Sequence, residues 1–301
     1  MKDSTREYLY KWHTRLEKRN MLNWLPDRAY IKAVFFLRMG YKLDLKTPKT
    51  FAEKLQWLKL YDRNQVYSVM ADKYAAKEYA AEKIGKEHII PTLGVWDSFE
   101  DIEFDNLPDS FVLKCSHDSG GLVIVRNKAA MDMKYAGKKI NDSLKKNYYW
   151  HNRERHYKDI KPRIIAEEFM SDPKGNSDLT DYKFFCFAGE PVFCQVIGDR
   201  SSDETMDFFD MQWNPLDISR IKDTGEVFPK SKKTPDKPEC FEKMKEIASK
   251  LSENCKFARI DLYSIQGKAY FGEITLFPVG GFISFKPEEW NYRLGNHVVI
   301  L

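Results

Sequence analysis

The stretch RIDLYSIQGKAYFGEITLFPVGG, residues 259–281, has two short β-like runs on either side of Gln266-Gly267. The first run carries Asp261 and the second carries Glu273, although acidic residues are depleted in strands. Side chains alternate between faces, so the loop length decides whether the two acids share a face. A two-residue loop would bury one carboxylate in the apolar core at high cost, so we predict a loop with an odd number of residues. One face of the hairpin would then carry Arg259, Asp261, Glu273 and Thr275.

Two carboxylates on one face have the chemistry of a magnesium site. Mg²⁺ takes one or two carboxylates and leaves its other positions to water and phosphate. The plain alternative is a solvated sheet face with an ion pair between Arg259 and Asp261, which is nearly neutral in energy. The hairpin alone slightly favours that alternative, because a metal here needs an anionic ligand to hold.

A phosphate-binding feature occurs upstream, in FVLKCSHDSGG at residues 111–121. Lys114 lies on a predicted strand and is followed by a turn rich in Ser and Gly. Lysine supplies a positive charge for phosphate, and glycine lets backbone N–H groups approach phosphate oxygens. The segment is not a P-loop, because the chain contains no GxxxxGK[ST]. Taken alone, such a segment is most often an ordinary hairpin.

Bulk composition restricts the class of protein. The 301 residues carry 49 Lys+Arg against 45 Asp+Glu, a net charge of +4 that is too small to indicate nucleic acid as the main partner. The start is charged throughout, and the apolar run AVFFL at 33–37 is far too short to span a membrane. Five cysteines without CxxC spacing favour a reduced, cytosolic protein without structural zinc.

The element pattern predicts an α+β fold without regular βαβ alternation. We divide the chain into a helical segment 1–70, a first lobe 71–170 and a second lobe 171–301, with a hinge loop at 171–180. Thr50 and Glu53 have capping-box spacing, and a later helix is predicted to end at Gly85. The helix CFEKMKEIASKL is predicted to bury Phe241, Met244, Ile247, Ala248 and Leu251.

Seven phrases in order resemble the ATP-grasp superfamily, and most closely the branch named after the teichuronopeptide-biosynthesis protein of alkaliphilic bacilli. They are FAEKLQWLKLYDRN, DKYAAKEY, IIPTLGVWDSFEDI, LPDSFVLKCSHDSGG, IKPRIIAEEFM, DYKFFCFAGEP and RIDLYSIQGKAYFGEITLFPVGGF. Members of this branch occur in bacterial capsule and surface-polysaccharide gene clusters. The resemblance runs from about residue 50 almost to the C-terminus.

The resemblance implies an ATP-grasp fold in which two α+β lobes enclose ATP. Lys73 and Lys114 would contact the α- and β-phosphates, the 119–121 turn would close over the γ-phosphate, and the segment 167–169 would meet the adenine. His117 either donates to a phosphate oxygen or serves as a hydrogen-bonded turn residue. The implied nucleotide site is Lys73, Lys114, His117, Ser119, Gly120, Gly121, Glu167, Glu168, Phe169 and Asp181.

Magnesium would be held by Asp261 and Glu273, with Thr275 where most of the superfamily has Asn. A hydroxyl is a poorer Mg²⁺ ligand than an amide oxygen, so Thr275 is expected to act through water. Arg259 and Lys183 would neutralise charge on the transferring group.

The implied activity is an ATP- and Mg-dependent carboxylate–amine ligase that proceeds through an acyl phosphate. A uronic acid or an amino acid would be the carboxylate acceptor, and a separate amine the donor, in surface-polysaccharide biosynthesis. Alternatives are a sugar kinase with the same ATP site, a sugar transferase of capsule biosynthesis and a non-catalytic nucleotide-binding module. No DxD motif supports the transferase, and the intact acids argue against the non-catalytic module.

Basic residues could attract the acceptor, namely Arg200, His117 and the run KKNYYWHNRERHYKDIKPR. A solvated amphipathic helix is an equally good interpretation of that run, and specific nucleic-acid contact is the weakest. The aromatic and basic residues of segment 1–70 are compatible with peripheral membrane contact, at the inner face for a cytoplasmic protein, but such residues are more often core and rim.

Overall fold

A computed structural model describes residues 3–171, 179–198, 204–222 and 224–300. Its helices are α1 (Asp3–Lys18), α2 (Asp27–Met39), α3 (Phe51–Tyr61), α4 (Val66–Ala71), α5 (Ala75–Ile84), α6 (Met133–Leu144), α7 (Tyr149–Asn152), α8 (Phe241–Ser252) and α9 (Glu289–His297). Its strands are β1 (Thr92–Trp96), β2 (Phe111–Cys115), β3 (Leu122–Val125), β4 (Ile164–Glu168), β5 (Asp181–Phe187), β6 (Glu190–Gly198), β7 (Thr205–Asp210), β8 (Ser219–Arg220), β9 (Phe257–Ile265), β10 (Lys268–Thr275) and β11 (Phe285–Lys286).

Helices form the N-terminal part of the described chain, and their local signals agree with the structure. The Thr50 hydroxyl accepts from the Glu53 N–H at 3.3 Å, and the Glu53 carboxylate accepts from the Thr50 N–H at 2.9 Å. This confirms the predicted capping box, which satisfies two N–H groups at the start of α3. Helix α5 ends at Gly85, which has φ of 94°, as the sequence predicts.

The two larger sheets of the described chain are both antiparallel. The first has the order β1-β4-β2-β3, and Ala136 and Ile140 of α6 belong to the same apolar cluster as its strands. The second has the order β10-β9-β5-β6-β7. Helix α8 packs on this second sheet and buries all five side chains predicted for it. The helical periodicity of the apolar residues in α8 therefore predicted its buried face correctly. The observed sheets agree with the predicted α+β class.

The hairpin of β9 and β10 corrects one prediction and confirms its consequence. The loop has two residues, because Ile265 pairs with Lys268, and both Gln266 and Gly267 have positive φ as a type I′ turn requires. The predicted odd loop is therefore wrong. A β-bulge at Gly272 supplies the extra residue instead, so that Glu273 lies opposite Asp261. The four predicted side chains share one face for this reason.

Two sequence predictions fall on segments outside the described residues. Most of the predicted hinge, residues 172–178, and Arg200, a predicted attractor of the acceptor, lie there. Within the described ranges, none of the helices combines the length and the apolar character needed to cross a membrane.

Replacing Gly272 with valine tests the bulge. An added Cβ would lie 2.9 Å from the backbone oxygen of Asp261 and 3.1 Å from the ring of Tyr263, so the strand pair must move. We expect the free energy of unfolding in urea to fall by about 1–3 kcal/mol. Tyr270→Val, on the same strand, is the control and should change stability by less than about 1 kcal/mol. Equal stability of the two variants would contradict a tightly packed bulge.

Candidate active site

The centre of the site is the face of β9 and β10 that carries the two acids. The Asp261 carboxylate accepts from Nε and Nη2 of Arg259, each at 2.7 Å, and from Nζ of Lys183 on the neighbouring β5. Arg259 Nη2 also donates to Oε1 of Glu273 at 3.2 Å, and the Thr275 hydroxyl lies 3.0 Å from the same oxygen. The four residues predicted to share one face, together with Lys183 of β5, therefore form one connected group of hydrogen bonds.

Burial and charge affect the two acids differently. Asp261 is only 1% exposed, and its loss of hydration raises the pKa of its carboxyl, a rise that Arg259 and Lys183 oppose. For Glu273 loss of hydration is also the largest influence, but the positive charges of Lys183, Arg259 and Lys73 together outweigh it. They lower the pKa of Glu273 to about 2. Glu273 is therefore a carboxylate at neutral pH, and its side chain is 45% exposed.

A cleft of about 480 Å³ opens over this face. Six predicted site residues line it, namely Lys73, Ser119, Lys183, Arg259, Glu273 and Thr275. Asp261 lies beneath them, bonded to Arg259 and Lys183. The cleft therefore brings together residues that are up to 202 positions apart (275 minus 73) in the sequence.

The Ser/Gly turn between β2 and β3 forms one wall of the cleft. Ser119 and Gly120 are exposed at its tip, and Gly120 has φ of 120° with open space beside it. Gly121 is instead buried, and an added Cβ would lie 2.5 Å from the Ser143 hydroxyl. Lys73, in the turn between α4 and α5, donates from Nζ to the backbone oxygen of Asp118. A lysine and an exposed stretch of backbone thus lie together, an arrangement compatible with the predicted phosphate binding.

His117 is a structural part of the same turn in this conformation. It is 2% exposed, and its Nε2 lies 3.2 Å from the Ser143 oxygen and 3.1 Å from the Lys146 oxygen. Of the two interpretations left open by the sequence, these contacts favour the hydrogen-bonded turn residue.

The segment predicted to meet the adenine carries a buried ion-pair group. Glu167 of β4 lies 2.8 Å from Nζ of Lys77 and pairs with Lys114 on β2. Its pKa is lowered, because the attraction of Lys114 and Lys77 together exceeds the opposing and largest single influence, loss of hydration. Lys114 is therefore occupied by a carboxylate. Nucleotide phosphates would have to compete for it or share it.

Three further predicted residues of the nucleotide site are Glu168, Phe169 and Asp181. Glu168 is exposed, and the guanidinium of Arg126 lies 5.2 Å from the ring centre of Phe169. Asp181 is 1% exposed, and its Oδ1 lies 3.6 Å from Nζ of Lys183. None of these three is among the residues that line the described cleft.

Glu167→Gln tests the buried ion-pair group. The amide leaves the ammonium groups of Lys77 and Lys114 without a counter-charge, so we expect the free energy of unfolding to fall by about 2–4 kcal/mol. Glu168→Gln changes the adjacent, exposed carboxylate and should cost less than about 0.5 kcal/mol. Urea unfolding of both variants decides the matter. A similar small effect in both would show that the group contributes little.

A second buried cluster in the cleft wall was missed by the sequence analysis. Nζ of Lys59 donates to the backbone oxygens of Gly280 at 2.5 Å and Asn152 at 3.0 Å. Nε2 of His156 lies 3.6 Å from the carboxylate of Glu154, and Glu154 lines the cleft. One signal was available, because Lys59 occurs four residues after Leu55 on the apolar face of α3.

This cluster also changes the interpretation of the basic aromatic run at 145–163. The run contains the short α7 and a 3₁₀ turn at Arg155–Tyr157 rather than one continuous helix, and residues 152–154 and His156 are buried. The Arg153 guanidinium lies 4.5 Å from the ring centres of both Tyr30 and Trp150. The run is therefore not one solvated amphipathic helix. Of its nine Lys, Arg, Asp and Glu residues, Arg153 and Glu154 are buried, whereas most of the others are exposed.

Acidification should destabilise the protein through His156. Loss of hydration, with a smaller contribution from the charge of Lys59, lowers the pKa of His156 to about 3. The folded state therefore holds the neutral ring below the ordinary histidine pKa of 6.5, where the unfolded chain takes up a proton. Its contribution is complete above about pH 6.5 and is lost as pH falls, by about 2–3 kcal/mol at about pH 4.5.

The measurement is urea unfolding at several pH values. His156→Phe keeps the ring beside Phe277, which lies 5.5 Å away between centres, and removes the titration. We expect a flatter dependence on pH in this variant than in the wild type. His297→Gln, an exposed histidine, should keep the wild-type slope, and an unchanged slope in His156→Phe would contradict the assignment.

The donor set on β9 and β10 fits a hard divalent cation. Asp261 and Glu273 face each other across a strand pair, and Mg²⁺ requires no more than two carboxylates where water and phosphate complete its shell. Among the described residues, no group of three or more His, Cys, Asp and Glu side chains converges. Asp261 already accepts three hydrogen bonds from Arg259 and Lys183, so a metal here would share this carboxylate with the two cations or displace one of them.

Comparison with known proteins places the chain in a family. The sequence model described as TupA-like ATP-grasp matches residues 53–299. The match covers most of the chain, so the protein belongs to the TupA-like ATP-grasp family. The predicted family and the ATP-grasp fold are confirmed. No curated protein matches the sequence.

Several solved structures are similar to this chain. The D-alanine–D-alanine ligase of Helicobacter pylori is 16% identical with a TM-score of 0.44, and the match covers 83% of this chain and 69% of that one. The L-amino acid ligase of Bacillus licheniformis is 13% identical with a TM-score of 0.42, covering 83% and 55%. The D-alanine–D-alanine ligase of Bacillus anthracis complexed with ATP is 15% identical with a TM-score of 0.38, covering 69% and 54%. This chain thus spans little more than half the length of two of these three proteins.

Proposed function

We propose that the protein is an ATP- and Mg-dependent carboxylate–amine ligase. One observation carries the proposal, namely two facing carboxylates and two cations on the floor of a single cleft, Asp261, Glu273, Arg259 and Lys183. Family membership supports an ATP-dependent ligase in general terms. A carboxylate acceptor and an amine donor complete the reaction that we propose.

Asp261 and Glu273 would hold Mg²⁺, with Thr275 contributing through water. When bound, the ion would supply charge neutralisation to the phosphates. Lys73, Lys114 and the exposed Ser119-Gly120 backbone would bind the phosphates, and 167–169 with Asp181 would bind the nucleoside. Support for the phosphate assignment is the short separation of Lys73 from the turn that carries Ser119.

The positive charges of Arg259 and Lys183 would neutralise the negative charge on the transferring phosphoryl group. In the structure both cations bond Asp261, so each is held at the cleft floor before any anion arrives. The acceptor carboxylate would receive the terminal phosphoryl group as the bond to the β-phosphate oxygen breaks. The amine would then form the amide as phosphate leaves. Positioned cations stabilise the negative charge that develops in both steps without a covalent protein intermediate.

The acceptor that we propose is a uronic acid or an amino acid, in the biosynthesis of a bacterial surface polysaccharide in the cytoplasm. The resemblance to the polysaccharide-associated branch is the support for this assignment. A sugar kinase would use the same cleft, and it would differ in needing no amine.

Screening ADP release with Mg²⁺, uronic acids, amino acids and amines tests the function. A ligase requires both a carboxylate and an amine, and mass spectrometry should find a product lighter by one water than the two reactants combined. Phosphorylated sugar without an amine requirement would show a kinase, and transfer without ADP release would show a transferase.

Asp261→Asn and Glu273→Gln should each lower ADP release by at least about a hundredfold, because each removes a carboxylate charge from the metal site. Glu190→Gln, an exposed acid on the same sheet, is the matched control and should retain activity. Circular dichroism checks that the fold is kept. Full activity of both site variants would show that the metal assignment is wrong.

A further inference from the structure

Large apolar side chains are exposed at the start of the described chain, in a region that precedes the family match at 53–299. We define the N-terminal patch as Tyr8, Leu9, Trp12, Met21 and Trp24. These are five of the sixteen exposed large apolar side chains of the described residues, within seventeen positions. Trp24 is 78% exposed, and Trp12 is the other exposed tryptophan in the described chain. An exposed apolar concentration of this kind indicates an interaction surface.

The patch follows from the way α1 packs. Its inner face contacts α2, because Tyr30 donates to the Glu17 carboxylate at 3.0 Å and stands 5.3 Å from the His13 ring. Tyr8 and Trp12 are one turn apart on the outer face, with ring centres separated by 6.2 Å. Helix α1 therefore differs from a core helix. Its inner face makes polar and ring contacts to α2, and the large side chains of Tyr8 and Trp12 are exposed on its outer face.

The turn after α1 carries the other two members of the patch, Met21 and Trp24. The Met21 N–H donates to the Leu16 oxygen at 3.0 Å, which folds the turn back on the end of the helix. Leu22 and Leu25 point inward and pack against the apolar cluster of α2. Met21 and Trp24 remain outside. Met21 and Trp24 are thus exposed on an ordered turn whose leucines are packed inward.

Positive charge surrounds the patch. Residues 5–24 contain five Lys or Arg against two Glu, a net charge of +3 in a chain whose total is +4. Lys11, Arg15 and Lys18 are exposed, and the Arg15 guanidinium lies 5.4 Å from the Trp12 ring centre. Glu17 faces α2 rather than solvent. The surface therefore combines apolar, interfacial aromatic and basic side chains.

We propose that the N-terminal patch docks the protein on an anionic phospholipid bilayer. Tryptophan and tyrosine favour the boundary between headgroups and acyl chains, and basic residues beside them are attracted to anionic lipid. A second copy of the same patch is a poorer occupant, because two surfaces of net positive charge repel each other. The docking is peripheral and does not depend on the proposed ligase activity.

Co-sedimentation with vesicles tests the proposal. The full chain is mixed with vesicles of phosphatidylcholine alone or of phosphatidylcholine with phosphatidylglycerol. We expect binding to the anionic vesicles to exceed binding to the neutral ones by at least about tenfold, and to weaken as salt is added. Equal binding to both, or binding to neither, overturns the proposal.

Variants assign the binding to the patch. Trp12→Ser/Trp24→Ser should reduce the partition coefficient at least about tenfold, and so should Lys11→Gln/Arg15→Gln/Lys18→Gln. Tyr135→Ser/Tyr292→Ser removes two exposed aromatic side chains elsewhere, and Lys32→Gln/Lys42→Gln/Lys86→Gln removes the same charge elsewhere. Both controls should bind like the wild type. Equal losses in patch and control variants would overturn the assignment.

Sedimentation velocity without lipid covers the alternative occupant. A dimer that Trp12→Ser/Trp24→Ser abolishes would show that the patch joins two copies, and would overturn the proposal. Far-UV circular dichroism and urea unfolding must show that each variant is folded. Because vesicle binding is measured without nucleotide, failure of the ligase proposal and failure of this one are separate results.

Discussion

The burial of the Asp261 carboxylate is the constraint on which the rest of the site depends. A carboxylate that is 1% exposed is costly unless cations and hydrogen bonds replace its hydration. Arg259 from the same strand and Lys183 from β5 supply both. These contacts require β5 and β9 to be neighbours, which the order β10-β9-β5-β6-β7 provides. The charge arrangement of the cleft floor therefore depends on this sheet order.

The same constraint explains why the hairpin carries a bulge. A two-residue type I′ turn suits the twist of paired strands and fixes the register near Gln266-Gly267. With that register alone, Glu273 would point to the apolar side of the sheet, where Phe271 and Ile274 are buried. The extra residue at Gly272 places the apolar side chains on the α8 side of the sheet and the acids on the cleft side.

Local patterns were sufficient for much of the fold and for part of the site. The α8 stripe and the Thr50 capping box depend on neighbouring residues, so sequence spacing predicts them. The loop length and the bulge could not be separated, because both add one residue and have the same effect on parity. Lys59 and Glu154 were missed because their burial depends on segments distant in sequence. Lys59 of α3 donates to the backbone oxygens of Asn152 and Gly280, and Glu154 lies in the wall of the cleft that also contains Gly280. The sequence pattern assigns Glu167 to the adenine segment. Its ion pairs with Lys77 and Lys114 were not predicted, because those lysines lie on other elements.

The contacts of the cations set a condition on ligand binding. Lys114 pairs with Glu167, Lys183 and Arg259 bond Asp261, and Lys73 bonds a backbone oxygen. A triphosphate bound as proposed would therefore meet cations that are already paired, and it would gain only the difference between new and old contacts. A divalent cation bound at the proposed site would change that balance, because its charge would compensate Asp261 and Glu273 and leave Arg259 and Lys183 available to the phosphates. The physical consequence is that nucleotide and metal should bind with mutual reinforcement, since each removes the charge imbalance that the other creates.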